Sequence, residues 1–277
     1  MNHFKIDPKK CKRDGICVAV CPFSLLEMPS KKAVPVPVPY AEERCIKCGH
    51  CVAVCPHGAL TLKTMSPEDC APLREDLKPN REQVEHLLRA RRSIRVYKKK
   101  TVSQKTLKEV IRLAGYAPSG HNVQLTQWLV IEKAGEIRRL AAVVIEWMRS
   151  VLEKEPEFGR RLDLDLIVAA WERGEDSIFR GAPTLIIAHA PQDFSAFHAV
   201  RAQFTIAMTY LELAASSFGL GACWAGYFQA AVQLYPPMNE AIGLPKGHLS
   251  YESMMLGYPK FPYYRMPLRN PPRISWR

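Results

Sequence analysis

The chain has 277 residues, of which 47% are hydrophobic, so it is long enough for two domains with their own cores. No uninterrupted apolar run reaches the roughly 18 residues that a membrane span needs, so we expect no membrane association. The formal net charge of +12 is scattered along the chain and accompanies no helix-turn-helix or zinc-finger pattern. We therefore expect solvated basic surface and no nucleic-acid partner.

Two cysteine motifs stand near the start of the chain. The second and more regular one, from Cys45 to Pro56, reads C-x2-C-x2-C-x3-C-P. Bacterial-type ferredoxins use this spacing to hold iron–sulfur clusters: three thiolates hold one cluster, and the fourth cysteine, next to proline, ligates the other. The first motif, from Cys11 to Pro22, reads C-x5-C-x3-C-P and has Asp14 where a second cysteine would stand.

Crossing the two motifs predicts two sets of cluster ligands. One set, expected to hold a [4Fe–4S] cluster, comprises Cys21, Cys45, Cys48 and Cys51. The other set comprises Cys11, Asp14, Cys17 and Cys55. Because a carboxylate is a harder ligand than a thiolate, this second site is expected to hold a [4Fe–4S] cluster with an oxygen ligand or a [3Fe–4S] cluster.

Zinc binding and disulfide bonding are the alternatives for these cysteines. Zinc takes four ligands per ion and gives no reason for two motifs that each end in Cys-Pro. Disulfides would require an oxidising compartment, and no secretory signal is recognised at the start of the chain. We therefore favour iron–sulfur clusters and a cytoplasmic location.

Residues 1–64 resemble a two-cluster bacterial-type ferredoxin on the strength of these motifs. Residues 65–80 contain three prolines among charged residues and are predicted to be a linker. A second domain is expected over residues 81–277.

Apolar periodicity predicts the elements of this second domain. Leu107, Val110, Ile111 and Ala114 follow helical spacing after Ser103, a suitable N-cap. Further helices are predicted over 135–154, about 160–174 and about 196–218, and strands over 128–131, 184–187 and about 249–256. Strands separated by long helices indicate a layered α+β domain.

Four short stretches of this domain occur together. They are R-R-S-I-R at residues 91–95, A-P-S-G-H-N-V-Q at 117–124, G-L-G-A-C-W-A-G at 219–226, and the stretch from Leu256 through Arg265 and Arg269. In this order they resemble the nitroreductase family of FMN flavoproteins, over about residues 82–277. The resemblance implies a mixed central sheet surrounded by helices, bound FMN, and a homodimer with FMN at the subunit interface.

The resemblance also assigns roles to residues. Arg91 and Ser93 would bind the FMN phosphate and ribityl chain, Arg92 and Arg269 would assist, and Arg265 would close on the phosphate. Arg95 would lie at the pyrimidine edge, where a cation stabilises the negative charge of the reduced flavin. Backbone at Ala225 and Gly226 would offer an N–H group to flavin N5. A loop of the partner subunit would cover the flavin with Pro118, Ser119, Gly120, Asn122 and Gln124.

The whole chain therefore resembles a fusion of a ferredoxin domain with a nitroreductase domain. Such a fusion implies an oxidoreductase in which clusters pass single electrons to FMN, and FMN reduces a nitroaromatic, a quinone or a similar small aromatic acceptor. A low-potential donor or an acidic redox protein would supply the electrons. The alternative is an electron-transfer protein that relays electrons to a protein partner.

Overall fold

The computed structural model describes residues 3–192 and 198–277, and the chain divides into two compact units. The first unit comprises residues 1–78 together with 121–123, and the second comprises 79–120 and 124–277. None of the described helices combines the length and the apolarity needed to cross a bilayer.

The first unit is built from very short elements. They are β1 (Phe4–Ile6), α1 (Ile16–Ala19), β2 (Leu26–Glu27), β3 (Val36–Pro37), α2 (Ala41–Arg44), α3 (His50–Ala53) and β4 (Leu60–Leu62). Strand β1 pairs antiparallel with β4, and β2 pairs antiparallel with β3. A small apolar cluster that includes Phe4, Leu26 and Leu60 forms the core of this unit. Such a small core leaves much of the stability to other sources, and bound clusters would supply it.

Residues 65–78 carry two 3-10 turns, Pro67–Asp69 and Glu75–Leu77. Residues 121–123 belong to the first unit, where Asn122 Nδ2 donates to the carbonyl oxygens of Ile46 at 3.1 Å and Lys47 at 3.2 Å.

The second unit contains eight described helices and four described strands. They are α4 (Arg81–Ala90), α5 (Gln104–Ala114), β5 (Gln127–Ile131), α6 (Ala134–Lys154), α7 (Pro156–Arg161), α8 (Leu164–Glu172), β6 (Thr184–Pro191), α9 (His198–Ser217), β7 (Gly221–Trp224), α10 (Gly226–Leu234), α11 (Pro236–Ile242) and β8 (His248–Gly257). The helix predicted over about 196–218 is thus described from residue 198, and residues 196 and 197 lie outside the described part.

The strands form one sheet in the order β5-β6-β8-β7. The α+β class is confirmed, but the expected mixed sheet is not seen: all strand pairs of the described sheet are antiparallel. Strands β6 and β7 run in the same direction, since both are antiparallel to β8, but β8 lies between them and separates them in the sheet. The connection from β6 through α9 to β7 is therefore a crossover that passes the position of β8, and β8 then inserts antiparallel between the two strands.

Both faces of the sheet are covered. Along β6, Leu185 and Ile187 face a core with α6 and α10, whereas Ile186 and Ala188 face a core with α5 and α9. Successive strand residues point to opposite faces, so a strand covered on both sides is apolar throughout. This is why residues 184–190 read as a nearly continuous apolar run, and why β6 is the central support of the unit.

Candidate cluster and cofactor sites

The two cysteine motifs have the same local shape. Gly15 precedes α1 and Gly49 precedes α3, and both have a φ of 73°. Glycine adopts this left-handed backbone without steric cost, so the chain turns sharply there. Cys17 and Cys51 follow at equivalent helical positions. The altered first motif therefore keeps the backbone of the regular one.

The structure brings the first crossed set of thiols together. Cys21, Cys45, Cys48 and Cys51 line one cavity. Burial is the main cause of the raised pKa of Cys51, which reaches about 12, and the neighbouring thiols of Cys48, Cys45 and Cys21 add to it. Burial likewise raises the pKa of Cys45. Thiols crowded in this way favour bound iron, because the positive charge of the iron ions lowers the free energy needed to deprotonate the thiols.

The second crossed set also converges. Burial raises the pKa of Cys17 most, followed by the charges of Cys11, Cys55 and Asp14. Asp14 Oδ1 accepts a hydrogen bond from Ile16 N at 3.2 Å, so its carboxylate is held at the start of α1. This carboxylate occupies the position that Cys48 has in the other motif.

Backbone N–H groups point at three of these sulfur atoms. Leu25 N donates to Cys21 Sγ at 3.3 Å, and Ala59 N donates to Cys55 Sγ at 3.3 Å. Lys47 N donates to Cys45 Sγ at 3.4 Å. Hydrogen bonds to cluster sulfurs stabilise the added negative charge and tune the reduction potential. Within residues 3–192 and 198–277, no three His, Cys, Asp or Glu side chains form the compact group that a single metal ion requires.

In the second unit, residues 94–98 form an extended segment beside the sheet. Ile94 N donates to Ala222 O at 2.9 Å, and Lys98 N donates to Tyr258 O at 2.8 Å. A Cβ at Gly221 would overlap the Ile94 side chain, so glycine is required for this close approach. Because side chains alternate along an extended segment, Ile94 and Arg95 line different cavities.

One cavity of about 530 Å³ contains both Arg95 and Gly226. Its wall also carries Trp224 and Tyr227. Gly226 is the first residue of α10, so its N–H has no acceptor within that helix, whereas Ala225 N already donates to Ser253 O at 3.0 Å. A Cβ at Gly226 would meet nothing within 4 Å. A flat ring with a hydrogen-bond acceptor therefore fits against Gly226.

Ser93 and Cys223 lie beside this cavity. The Ser93 side chain is close enough to the Cys223 thiol to lower its pKa. Burial raises the pKa of Cys223, and the nearby guanidinium groups of Arg95 and Arg180 offset part of that rise. Cys223 is therefore a neutral, buried thiol at neutral pH.

Arg91 and Arg92 lie elsewhere, in a cavity of about 380 Å³. Arg91 Nη1 donates to Glu212 Oε1 at 2.8 Å, and the Glu212 side chain is only 7% exposed. The Arg92 guanidinium lies 5.9 Å from the ring centroid of Tyr263. The structure therefore separates these two arginines from the cavity of Arg95 and Gly226, although the sequence stretch joins all three.

The remaining predicted residues are spread more widely. Pro118, Ser119 and Gln124 line a third cavity of about 210 Å³, and Gly120–Asn122 forms a 3-10 turn. Arg265 and Arg269 are exposed in the tail and form no ion pair within the described part of the chain.

Residues 88–258 match the model of the nitroreductase family, and residues 9–60 match that of the 4Fe-4S dicluster domain. The chain belongs to the nitroreductase family. It carries a ferredoxin domain at its N-terminal end, so both predicted resemblances are confirmed. No curated protein matches the chain.

Solved structures agree with the nitroreductase fold. A nitroreductase with bound FMN from Bacteroides fragilis NCTC 9343 aligns with a TM-score of 0.52 and 21% identity, over 71% of this chain and 96% of its own. A nitroreductase with bound FMN from Desulfitobacterium hafniense DCB-2 aligns with a TM-score of 0.51 and 22% identity, over 69% and 93%. A BluB-like flavoprotein from Clostridium difficile 630 aligns with a TM-score of 0.52 and 18% identity, over 68% and 94%.

Two polar residues of this nitroreductase-family domain escaped the sequence analysis. Arg180 lines the same cavity as Arg95, and Glu212 pairs with Arg91. Glu212 lies in the middle of a helix, where a carboxylate normally indicates a solvated face. Its burial depends on Arg91, which is distant in sequence, so no local signal could have revealed it.

Proposed function

We propose that the protein is an FMN-dependent oxidoreductase that receives single electrons through two iron–sulfur clusters and reduces a small aromatic acceptor. The observation that carries this proposal is the pairing of two features in one chain. One is the cavity lined by four thiols, and the other is the cavity shared by Arg95 and Gly226. Family membership supports the second feature, and the dicluster match supports the first.

The cluster ligands in this proposal are the two crossed sets. Cys21, Cys45, Cys48 and Cys51 hold a [4Fe–4S] cluster. Cys11, Asp14, Cys17 and Cys55 hold a [4Fe–4S] or a [3Fe–4S] cluster. The convergence of the thiols and the N–H groups directed at sulfur support both sets.

The proposed FMN site has Gly226 and Arg95 at the ring. The Gly226 N–H would donate to flavin N5, because the Ala225 N–H is already bonded to Ser253 O. Arg95 neutralises negative charge at the pyrimidine edge. Ser93 and some of the remaining arginines would contact the phosphate and the ribityl chain. These arginines are Arg91, Arg92, Arg265 and Arg269.

The residues from Pro118 to Gln124 complete the site from a second subunit in this proposal. The protein would then be a homodimer, and each copy would supply a loop to the flavin of the other. Exposed apolar side chains in the tail, such as Leu268 and Trp276, are consistent with burial against a second copy.

Bound flavin accepts electrons singly and delivers them in pairs, which links one-electron clusters to a two-electron reduction. Reduction of a nitro group to a nitroso group takes two electrons and two protons and releases water. Reduction of a quinone to a hydroquinone takes the same numbers. The protons come from solvent, and the aromatic walls of the cavity hold the acceptor.

The test begins with anaerobic purification and quantification of iron, sulfide and flavin. The protein is then reduced with dithionite and mixed with a panel of nitroaromatics and quinones under stopped flow. The proposal predicts rapid flavin reoxidation and turnover with at least one acceptor. Fast reaction with an acidic ferredoxin or flavodoxin alone would instead assign the protein to electron relay, a role that its +12 formal charge favours.

A further inference from the structure

The cavity that contains Gly226 carries a second cation. Arg95 and Arg180 both line it, and no acidic side chain does. Neither guanidinium forms an ion pair with a carboxylate anywhere in the described residues. Two unpaired cations in one concave site favour an anionic occupant.

The Arg180 backbone is fixed in an unusual conformation. Its φ of 57° lies in the left-handed region, which is unfavourable for a residue with a side chain. Asp176 holds the loop in this shape: Oδ1 accepts from Ile178 N at 3.0 Å and Phe179 N at 2.9 Å, and Oδ2 accepts from Gly181 N at 3.2 Å.

The flanking residues anchor this loop to the core. Phe179 is fully buried and packs against Phe228 with ring centroids 5.5 Å apart and the rings tilted by 55°, and Ile178 is 3% exposed. Arg180 itself, which directly follows these two residues, is exposed. The loop therefore presents Arg180 at the cavity from a rigid base, which lowers the entropy lost when an anion binds.

The rest of the cavity is suited to a flat aromatic molecule. Trp147, Trp224 and Tyr227 contribute to its wall, and Ser177 contributes a hydroxyl group. In the proposed function the flavin ring and the acceptor share this cavity of about 530 Å³, with the ring against Gly226. A guanidinium binds a planar carboxylate through two parallel hydrogen bonds, a geometry that suits a carboxylate attached to a ring.

We propose that Arg180 binds the carboxylate of the acceptor, so that the substrate is an aromatic carboxylate. This inference rests on the proposed function, in which Arg95 serves the flavin and leaves Arg180 free for the substrate. The inference specifies the chemical class of the acceptor and identifies Arg180 as the residue that selects an acceptor by its negative charge.

The kinetic test compares an anionic acceptor with its neutral ester, 4-nitrobenzoate and methyl 4-nitrobenzoate. Arg180→Gln is expected to raise KM for the acid about tenfold or more, the factor for losing one charged hydrogen bond, while KM for the ester changes less than twofold. Arg180→Lys keeps the positive charge but loses the planar guanidinium. Its KM for the acid should lie between the values of the natural protein and of Arg180→Gln. Arg173→Gln is the matched control, because Arg173 is an exposed arginine of the same loop region that pairs with Glu175 outside the cavity.

Two results would overturn the assignment. An equal rise in KM for the acid and the ester would show that Arg180 does not bind the carboxylate. Loss of bound FMN in Arg180→Gln would assign Arg180 to the cofactor.

A binding measurement separates this inference from the proposed activity. Calorimetry on the FMN-loaded protein compares benzoate with benzamide and needs no turnover. Tighter binding of benzoate that disappears in Arg180→Gln supports the inference even if every acceptor fails to react. Equal binding of the two probes, or no binding of benzoate, contradicts it even if acceptors are reduced.

Discussion

Arg91 donates to Glu212 at 2.8 Å across two parts of the second unit that are far apart in sequence. The second carboxylate oxygen of Glu212 accepts from Trp224 Nε1 at 3.4 Å. Glu212 thus connects an arginine of one cavity to an aromatic wall of the cavity that contains Gly226. The ion pair also occupies one side of the Arg91 guanidinium, although the family resemblance assigns Arg91 to the FMN phosphate.

A pair of variants separates the two roles of Arg91. Arg91→Ala leaves a buried carboxylate without its cation and should destabilise the fold by about 2 kcal/mol, less than a fully buried pair, since Arg91 is 31% exposed. Urea unfolding of the FMN-free protein measures this loss. Adding Glu212→Gln should restore most of the stability without restoring FMN retention. Recovery of FMN in the double variant would show that Arg91 acts only by neutralising Glu212.

The crossed ligand sets predict different outcomes for the two cysteines that precede proline. Cys21→Ser should disturb the cluster of the regular motif, whereas Cys55→Ser should disturb the cluster beside Asp14. Low-temperature EPR and iron analysis distinguish the two losses. Cys70→Ser is the control, because Cys70 is exposed and lies outside both motifs. Loss of the same cluster signal in both variants would contradict the crossing.

Asp14→Cys should turn the second site into an ordinary four-cysteine site. The expected result is a changed EPR spectrum, with a gain of iron if the native cluster is [3Fe–4S]. Asp7→Asn is a suitable control, since Asp7 caps Lys9 N at 2.8 Å and belongs to neither ligand set. Identical spectra and iron content before and after the change would show that Asp14 is not a ligand.

Gly226→Ala tests for a flavin ring against α10. Because an added Cβ meets no protein atom within 4 Å, the protein alone should fold normally. With FMN present, the methyl group should displace the ring and weaken FMN binding about tenfold or more, measured by fluorescence titration of the apoprotein. Gly135→Ala, which also points into open space, should leave FMN affinity unchanged. An unchanged affinity in Gly226→Ala would mean that the ring lies elsewhere.

His189 should make stability depend on pH. Its Nδ1 lies 3.0 Å from His248 Nδ1, and its pKa is lowered by burial and then by His248. A lowered pKa means that the unfolded state binds the proton more readily. The contribution is therefore fully present above an unfolded value of about 6.5 and is lost as pH falls toward the folded pKa.

Urea midpoints at several pH values below 7.5, compared between the natural protein and His189→Gln, measure this effect. The variant should show a flatter pH dependence, and His86→Gln, on an exposed helix, should show none of this change. Parallel curves for the natural protein and His189→Gln would rule out the histidine pair as the source.

Local features of the chain were readable from sequence. The spacing of Leu107, Val110 and Ala114 predicted α5, and Ser103 caps it by accepting from Thr106 N at 3.1 Å. The predicted helix over 135–154 is also confirmed as α6. These elements follow from periodicity and short-range hydrogen bonds, which a single sequence displays.

Features that depend on distant contacts were not readable. The helix predicted over about 160–174 is divided into α7 and α8, and Asp163 takes a φ of 56° at the break. Gly159 packs so closely on Leu152 that a Cβ would lie 2.6 Å from its Cδ2, which fixes α7 against α6. Likewise, the separation of Arg91 from Arg95 follows from the sheet edge that residues 94–98 join, which the R-R-S-I-R stretch does not reveal.

The loop around Asp176 makes position 180 tolerant of substitution. Its shape is set by main-chain N–H groups bonded to one carboxylate, so the identity of residue 180 does not determine it. Asparagine and glycine tolerate a φ of 57° better than arginine does. Arg180→Asn and Arg180→Gly should therefore remove the acceptor preference of the arginine while sparing thermal stability.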